Sequence, residues 1–148
     1  MRLALAEATS AGARGEVPVG AVVVRDGIVV GAAGNASIAE CDPTGHAEVR
    51  ALRAAGRRAA SYRLPGTVLY VTVEPCAMCM GAALQARVAR LVYGCDDPKA
   101  GAAGSLFDLS ADMRLNHRMA VTAGVEGEAA SRLLRDFFRA RRSPAPRR

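Results

Sequence analysis

Apolar runs alternate along the chain with short polar or glycine-containing turns, and the period of each run indicates a strand or a helix. Runs rich in Val and Ile predict strands, and Asp26-Gly27 between two of them predicts a two-residue hairpin turn. The predicted strands are 20–25, 28–32, 67–73, 90–93 and 119–122. The predicted helices, where apolar positions repeat at helical spacing, are 3–13, 46–55, 76–87 and 128–142.

This order of elements, with strands and helices mixed along the chain, predicts the α/β fold class. Helices on both sides of a mixed sheet would make a three-layer α/β/α domain. Between the last two strands, residues 96–109 form a Gly- and Ala-rich loop long enough to indicate a function. We expect one domain over residues 1–142 and a disordered tail over residues 143–148.

The composition is that of a globular protein, with 148 residues of which 51% are apolar and 23% charged. Its uninterrupted apolar runs, such as Gly20–Val24, are far shorter than the roughly 20 residues of a membrane span. We therefore expect no membrane partner. The first residues mix Glu and Arg with apolar types, unlike a signal peptide, and this indicates a cytoplasmic protein.

The net charge of +6 comes almost entirely from Arg, because Lys99 is the only lysine. Arg binds phosphate in a bidentate manner and stacks on bases, so this excess favours a nucleic-acid partner. A coding bias towards Ala and Arg explains the composition equally well, and both explanations stay open.

Cys76 and Cys79 are the strongest candidates for chemistry. A spacing of three puts them on one face of a predicted helix, whose N-terminus favours thiolates. With His46 they would supply three protein ligands to Zn²⁺, which leaves a catalytic ion one open position for water.

Two other interpretations of these cysteines remain. A redox pair is one, although the thioredoxin-like context of such pairs is not evident here. The other is a structural zinc site, which needs a fourth protein ligand. The candidates for that ligand are Cys41, Cys95 and His117.

Glu48 favours the catalytic interpretation. Two thiolates weaken Zn²⁺ as a Lewis acid, and a carboxylate that accepts the proton of water compensates for this. Residues i and i+2 of a helix point well apart, so His46 and Glu48 can serve one site only if both lie in the first turn beside the metal. A carboxylate that merely stabilises the helix N-terminus is the alternative.

His-x-Glu followed by Pro-Cys-x-x-Cys is the signature of zinc-dependent nucleobase deaminases. Over positions 1–142 the chain also resembles, segment by segment and in order, the bacterial tRNA-specific adenosine deaminases. The segments that carry this resemblance are Glu16–Gly20, Gly34-Asn35, Asp42–Glu48, Glu74–Cys79, Lys99–Leu106, Asn116–Arg118 and Asp136–Arg139.

The resemblance implies a cytidine-deaminase-like fold with a five-stranded mixed sheet, a homodimer, and conversion of the wobble adenosine of a tRNA anticodon to inosine. It implies that His46, Cys76 and Cys79 bind one Zn²⁺ per subunit. Glu48 would be the catalytic proton shuttle.

The resemblance also implies a substrate pocket. Asn35 would hydrogen-bond the target base, and the backbone N–H of Ala47 would help to hold the edge of the substrate. The pocket would be lined by Val19, Val73 and Pro75.

Further RNA contacts are expected in two places. In the long loop they are Asp97, Lys99 and Ser105, and Asp97 has an alternative role in ordering its own loop. At the end of the chain they are Phe138, Arg139, Arg141 and Arg142. Alternatively, Phe137 and Phe138 complete an apolar core stripe while the Arg residues face solvent.

Two positions depart from the family pattern: Gly45 stands where Ala is usual, and Gln85 replaces a His found in the best-known members. Other functions also stay open. A deaminase of a free nucleobase or nucleoside, of guanine or cytosine type, shares the zinc motif. A zinc-stabilised RNA-binding module would need no Glu48. The small residues of Ala77–Ala83 fit dimerisation and ordinary helix-on-sheet burial equally well.

Overall fold

The computed structural model describes residues 1–142, so the predicted tail at 143–148 lies outside the described residues. The strands are β1 (Gly20–Arg25), β2 (Ile28–Gly34), β3 (Thr67–Val73), β4 (Arg90–Cys95) and β5 (Ala120–Thr122). The helices are α1 (Arg2–Ala13), α2 (Ala47–Ala59), α3 (Ala77–Gln85) and α4 (Gly127–Arg142). Within the described residues, no helix is both long enough and apolar enough to cross a membrane.

The five strands form one sheet in the order β2-β1-β3-β4-β5. β1 pairs antiparallel with both β2 and β3, whereas β3, β4 and β5 run parallel. The sheet is therefore mixed and five-stranded, and the predicted α/β class is confirmed.

Helices cover both faces of the sheet. α1 and α4 pack together on one face, and α2 packs beside α3 on the other. Glycines let the helices approach closely: a Cβ at Gly20 would lie 2.0 Å from the carbonyl oxygen of Ala4 in α1. On the opposite face, a Cβ at Gly31 would lie 2.3 Å from the carbonyl oxygen of Ala51 in α2. Larger side chains at these two positions would push the layers apart.

The strands differ from the prediction at their ends. β2 continues to Gly34, two residues beyond the predicted end, because Gly34 pairs with Gly20. β4 continues to Cys95 because it pairs with Val73 of the parallel neighbour β3. Ala33, Gly34 and Gly94 have weak intrinsic strand preference, so the pairing partners reveal these extensions.

The two helices nearest the motifs each begin one residue later than predicted. His46 and Cys76 have extended backbones and cap α2 and α3, which begin at the following residue. α2 continues to Ala59, where the prediction ended at residue 55. α3 ends at Gln85, two residues early, and Arg87 just beyond it has a left-handed φ of +59°.

Candidate metal centre and active site

The N-termini of α2 and α3 meet beside the carboxyl end of β3. His46 caps the first helix and Cys76 caps the second, with Cys79 in its first turn. His46 Nδ1 lies 3.7 Å from Cys76 Sγ and 3.5 Å from Cys79 Sγ. One ligand atom from each residue lies within 4.8 Å of the other two. The structure therefore brings the three predicted metal ligands together.

The charges of this cluster fit a divalent cation with nitrogen and sulfur ligands. Hydrogen bonds with Cys79 and then His46 lower the pKa of Cys76 to about 3. The hydrogen bond with Cys76, followed by burial, raises the pKa of Cys79. In the protein alone, the contact between the two thiols thus favours ionisation of Cys76 and opposes ionisation of Cys79. A cation such as Zn²⁺ at this place would stabilise both thiolates, as its coordination chemistry requires.

Within residues 1–142, no fourth His, Cys, Asp or Glu joins the cluster. Cys41 is exposed in the loop before α2, and Cys95 ends β4. A ring nitrogen of His117, Nε2, lies 2.7 Å from the carbonyl oxygen of Val88. The candidate fourth ligands of a structural zinc site therefore lie elsewhere, and the cluster has the three-ligand form of a catalytic site.

Glu48 lies in the first turn of α2 and is only 4% exposed. Burial raises the pKa of its carboxyl group to about 7. Residues i and i+2 of a regular helix point apart, but His46 has an extended backbone and precedes the helix, whereas Glu48 lies in its first turn. This difference in backbone conformation allows both side chains to reach one site. Both residues line one cavity together with Cys76.

This cavity, of about 230 Å³, holds some of the predicted substrate residues and not others. Asn35, Val19 and Val73 line it. Pro75 is buried and is not among the lining residues, and its carbonyl oxygen accepts a hydrogen bond from the backbone of the long loop. The sequence did not point to three other lining residues, although all lie within or beside the motif segments. They are Val17, Glu74 and Ala100.

Asn35 and Ala47 bond to each other. The backbone N–H of Ala47 donates to Asn35 Oδ1 at 2.8 Å. This bond satisfies one of the N–H groups that a helix N-terminus leaves without an internal partner. It also turns the Asn35 amide so that its NH₂ group, a donor, is the part left for a ligand.

Glu74 organises the long loop, a role that the sequence did not reveal. Its buried carboxylate accepts backbone N–H groups from Asp97 and Ala103, each at 3.0 Å, and from Ser105 at 2.9 Å. The Ser105 hydroxyl donates to it as well. Burial acts to raise the pKa of Glu74, but the hydrogen bonds, led by that of Ser105, hold it below its usual value. The one sequence feature that could have indicated this role is the position of Glu74, an acidic residue directly after the apolar strand β3.

The three predicted contacts in that loop are therefore placed differently. Ser105 is engaged with Glu74. Asp97 lines the cavity, while its side chain accepts backbone N–H groups from Lys99 and Ala100. This is the loop-ordering role left open above. Lys99 is exposed.

The end of α4 combines both interpretations of its aromatic residues. Phe137 is half-buried, and Phe138 is 44% exposed with its ring edge-on at 5.4 Å. The guanidinium of Arg141 stacks 4.5 Å above Phe137. Arg139 and Arg142 are exposed at the same end. One aromatic ring thus packs inward while the other faces solvent beside cations.

The two departures from the family pattern have different surroundings. At Gly45 a Cβ would lie 3.0 Å from the carbonyl oxygen of Asp42 and 3.1 Å from the backbone of Ser37, so this loop leaves little room for Ala. Gln85 lies in a groove between α2 and α3, apart from the residues that line the catalytic cavity.

Comparison with known proteins places the chain in a family. The family model described as MafB19-like deaminase matches residues 1–142. The tRNA-specific adenosine deaminase of Haemophilus influenzae is 49% identical over 143 residues, which cover 96% of this chain and 83% of that protein.

Solved structures agree. One from work on A-to-I editing by tRNA:A34 deaminases superposes with a TM-score of 0.88 at 44% identity, covering 90% of this chain and 97% of that one. A guanine deaminase from Nitrosomonas europaea superposes with a TM-score of 0.76 at 25% identity, covering 90% and 80%. Since high identity to a tRNA-specific adenosine deaminase extends over almost the whole chain, as the motifs predicted, the protein is an enzyme of the bacterial tRNA-specific adenosine deaminase family.

Proposed function

We propose that this enzyme is a zinc-dependent hydrolase that converts adenosine to inosine at the wobble position of a tRNA anticodon, in the cytoplasm. The observation that carries the proposal is the placement of buried Glu48 in one cavity with His46 and Cys76, two members of the three-ligand cluster. The names of the relatives support the RNA substrate and the adenine base.

One Zn²⁺ would be held by His46, Cys76 and Cys79. Bound there, the ion would supply Lewis-acid activation of a water molecule at its open position. The positive ends of α2 and α3 both point towards this place, which favours the two thiolates.

Glu48 moves the protons of the reaction. It takes one from the attacking water and gives it to N1 of adenine as oxygen bonds to C6. It then carries the second water proton to the amino group, so adenosine and water become inosine and ammonia. A buried carboxyl group with a pKa near neutral can both accept and release a proton, which suits it to every one of these transfers.

Asn35 would hold the base in place. Because its oxygen is occupied by Ala47, its NH₂ group would donate to a ring nitrogen or other acceptor of the purine. Val19 and Val73 would pack against the faces of the base. In this proposal Ala47 acts by orienting Asn35 rather than by touching the substrate, and Pro75 acts by supporting the cavity wall.

The RNA around the target would be bound by cations and aromatic rings near the surface. Lys99 on the long loop and Arg139, Arg141 and Arg142 on α4 would contact phosphates, and Phe138 would stack on a base. Asp97 and Ser105 would keep the loop in shape for this contact. Such binding weakens steeply as salt is added, because phosphate contacts release counterions.

A second subunit would cover the groove between α2 and α3. This groove has a volume of about 680 Å³ and is lined largely by apolar groups, including Leu52, Tyr62 and Ala82. One side of α3 is buried towards the sheet through Met80 and Ala83, and the other side borders the groove. We propose a homodimer, which sedimentation equilibrium of the purified protein would test.

The remaining alternative is deamination of free guanine, because a guanine deaminase is among the structural neighbours. A direct assay separates the two functions. The zinc-loaded enzyme is incubated with an anticodon stem-loop carrying adenosine at the wobble position, with the same stem-loop carrying adenosine one position away, and with free guanine and adenosine. Products are identified by mass spectrometry.

We expect inosine in the first RNA only, zinc at one ion per chain, and loss of turnover on chelation with recovery when Zn²⁺ is returned. Conversion of free guanine without reaction of the RNA would establish the alternative. Full activity in metal-free protein would contradict the role of zinc.

A further inference from the structure

Two apolar side chains stand exposed close to the catalytic cavity. Leu106 and Phe107 are each 54% exposed, although they follow directly after Ser105, which is bound to the buried Glu74. Exposed large side chains occur elsewhere on the surface, but two neighbouring ones beside a functional site form a contiguous patch of the kind that binds another molecule.

The backbone of this pair is held rigidly. The N–H groups of Leu106 and Phe107 both donate to the carbonyl oxygen of Gly101, at 2.9 and 3.1 Å. The N–H of Gly104 donates to the carbonyl oxygen of Phe107 at 2.8 Å. A ring on so fixed a backbone loses little conformational entropy when a ligand stacks on it.

The same contacts bring the pair close to the cavity. Gly101 forms a backbone bridge with Cys76, one of the three clustered residues. Its neighbour Ala100 lines the cavity wall. The backbone of Phe107 is therefore linked through Gly101 to the backbone of Cys76, which lines the cavity.

We propose that Phe107, with Leu106 beside it, is a stacking platform for an unpaired base next to the target nucleotide. The inference rests on the proposed RNA substrate, and it assigns a residue outside the catalytic cavity to recognition of the flanking nucleotide. Aromatic rings bind splayed bases in this way in single-stranded RNA. Lys99, exposed on the same loop, supplies a positive charge for the accompanying phosphate.

A second protein chain fits this surface less well. A stable interface buries about 800 Å² on each partner, and two neighbouring side chains supply only a small part of that area. The larger apolar groove between α2 and α3 lies on other residues. A contact between copies at Phe107 is nevertheless an outcome that the test distinguishes.

The test uses a stem-loop with 2-aminopurine next to the target adenosine, because the fluorescence of this base is quenched on stacking. For Phe107→Ala we expect a rise of about tenfold in KM, the scale of one base stacked on one ring. We expect kcat to stay within about twofold and the protein-induced quenching to disappear. Phe107→Tyr keeps the ring and should restore both KM and quenching.

Met113→Ala is the matched control. Met113 is 76% exposed in the segment that follows, so the variant removes a similar apolar surface, and it should leave KM and quenching unchanged. If Phe107→Ala has the same KM and quenching as the wild type, and the wild type deaminates the RNA, the stacking role of Phe107 is overturned while the proposed function stands. Altered sedimentation of Phe107→Ala would overturn it in favour of a contact between copies. A wild-type enzyme that neither binds nor deaminates the RNA would overturn the proposed function as well.

Discussion

Two buried glutamates line the same cavity, and their surroundings give them opposite properties. Glu48 is 4% exposed and Glu74 is 2% exposed. Burial raises the pKa of Glu48 to about 7, above the weaker opposing effects of its own backbone N–H and of His46. Around Glu74 the loop supplies three backbone N–H groups and a hydroxyl, and the pKa falls below its usual value.

A stronger effect of burial at Glu48 and a larger number of hydrogen-bond donors at Glu74 therefore separate the two residues. A carboxyl group with few donors can take and release protons near neutral pH, as a general acid and base must. One surrounded by donors stays ionised and holds those donors in place. Glu48 is thus suited to chemistry, and Glu74 to shaping the wall beside it.

The largest effect is expected for Glu48→Gln. The amide keeps the shape of the side chain but cannot carry protons, so kcat should fall by about a thousandfold or more, at the scale of general acid–base catalysis. Zinc content and melting temperature should stay close to those of the wild type. Steady-state kinetics, metal analysis and calorimetry measure these quantities. Glu128→Gln, on an exposed carboxylate of α4, is the control, and comparable kcat values in the two variants would remove Glu48 from the mechanism.

Glu74→Gln should act on stability and on the loop. The amide has one oxygen acceptor, and its NH₂ group faces N–H donors, so we expect a loss of about 3 kcal/mol in unfolding free energy. Amide hydrogen exchange at Asp97, Ala103 and Ser105 should accelerate, while kcat falls far less than in Glu48→Gln. If exchange at these amides keeps its wild-type rate, the loop does not depend on Glu74.

Gly101→Ala tests the same anchor from the loop side. A Cβ there would lie 2.4 Å from the Glu74 carboxylate, so we expect a loss of about 2 kcal/mol in unfolding free energy from overpacking. Gly81→Ala in α3 is the matched control. Outside its own helix backbone and chain neighbours, no atom of the described residues would lie within 4 Å of the new Cβ. The variant should therefore gain up to about 1 kcal/mol in unfolding free energy from helix propensity. Urea denaturation measures both, and equal values for the two variants would contradict the close packing at Gly101.

Ser105→Ala should have the smallest effect. It removes one hydroxyl donor from Glu74 but leaves all three backbone donors. We therefore expect a loss of about 1 kcal/mol in unfolding free energy. The pKa of Glu74, followed by NMR titration of the carboxyl carbon, should rise towards its usual value without reaching it. An unchanged pKa would mean that the backbone groups alone set the ionisation of Glu74.

Much of the fold could be predicted from the sequence, since its strands and helices follow local patterns of apolar residues. The strands 20–25 and 67–73 have the predicted bounds, and the turn at Asp26-Gly27 has the positive φ angles, +51° and +74°, of a tight hairpin. The ends of β2 and β4 were not predicted, because Ala33, Gly34 and Gly94 have weak strand preference and Cys95 is in the strand through its pairing with Val73.

The candidate site divides in a similar way. The motif spacing predicted the grouping of His46 with the two cysteines, because each motif opens a helix and both helices follow loops or strand ends. The engagement of Asn35 with Ala47 could not be predicted, since it depends on how a loop passes over the first turn of α2. Val17 and Ala100 line the same cavity as Glu48, although both are distant from it in the chain. Their contribution could not be predicted for the same reason.

By itself, the sequence determined which residue types the protein has for chemistry, the order of its elements and its family, because these depend on local patterns. Tertiary structure alone decided which buried glutamate has a raised pKa and which has a lowered one. The donors around Glu74 come from residues 23 to 31 positions away, and burial of Glu48 depends on helices and strands that meet only after folding. A pKa depends on the burial of the group and on the donors and charges around it, and the spacing of residues along the chain does not describe these.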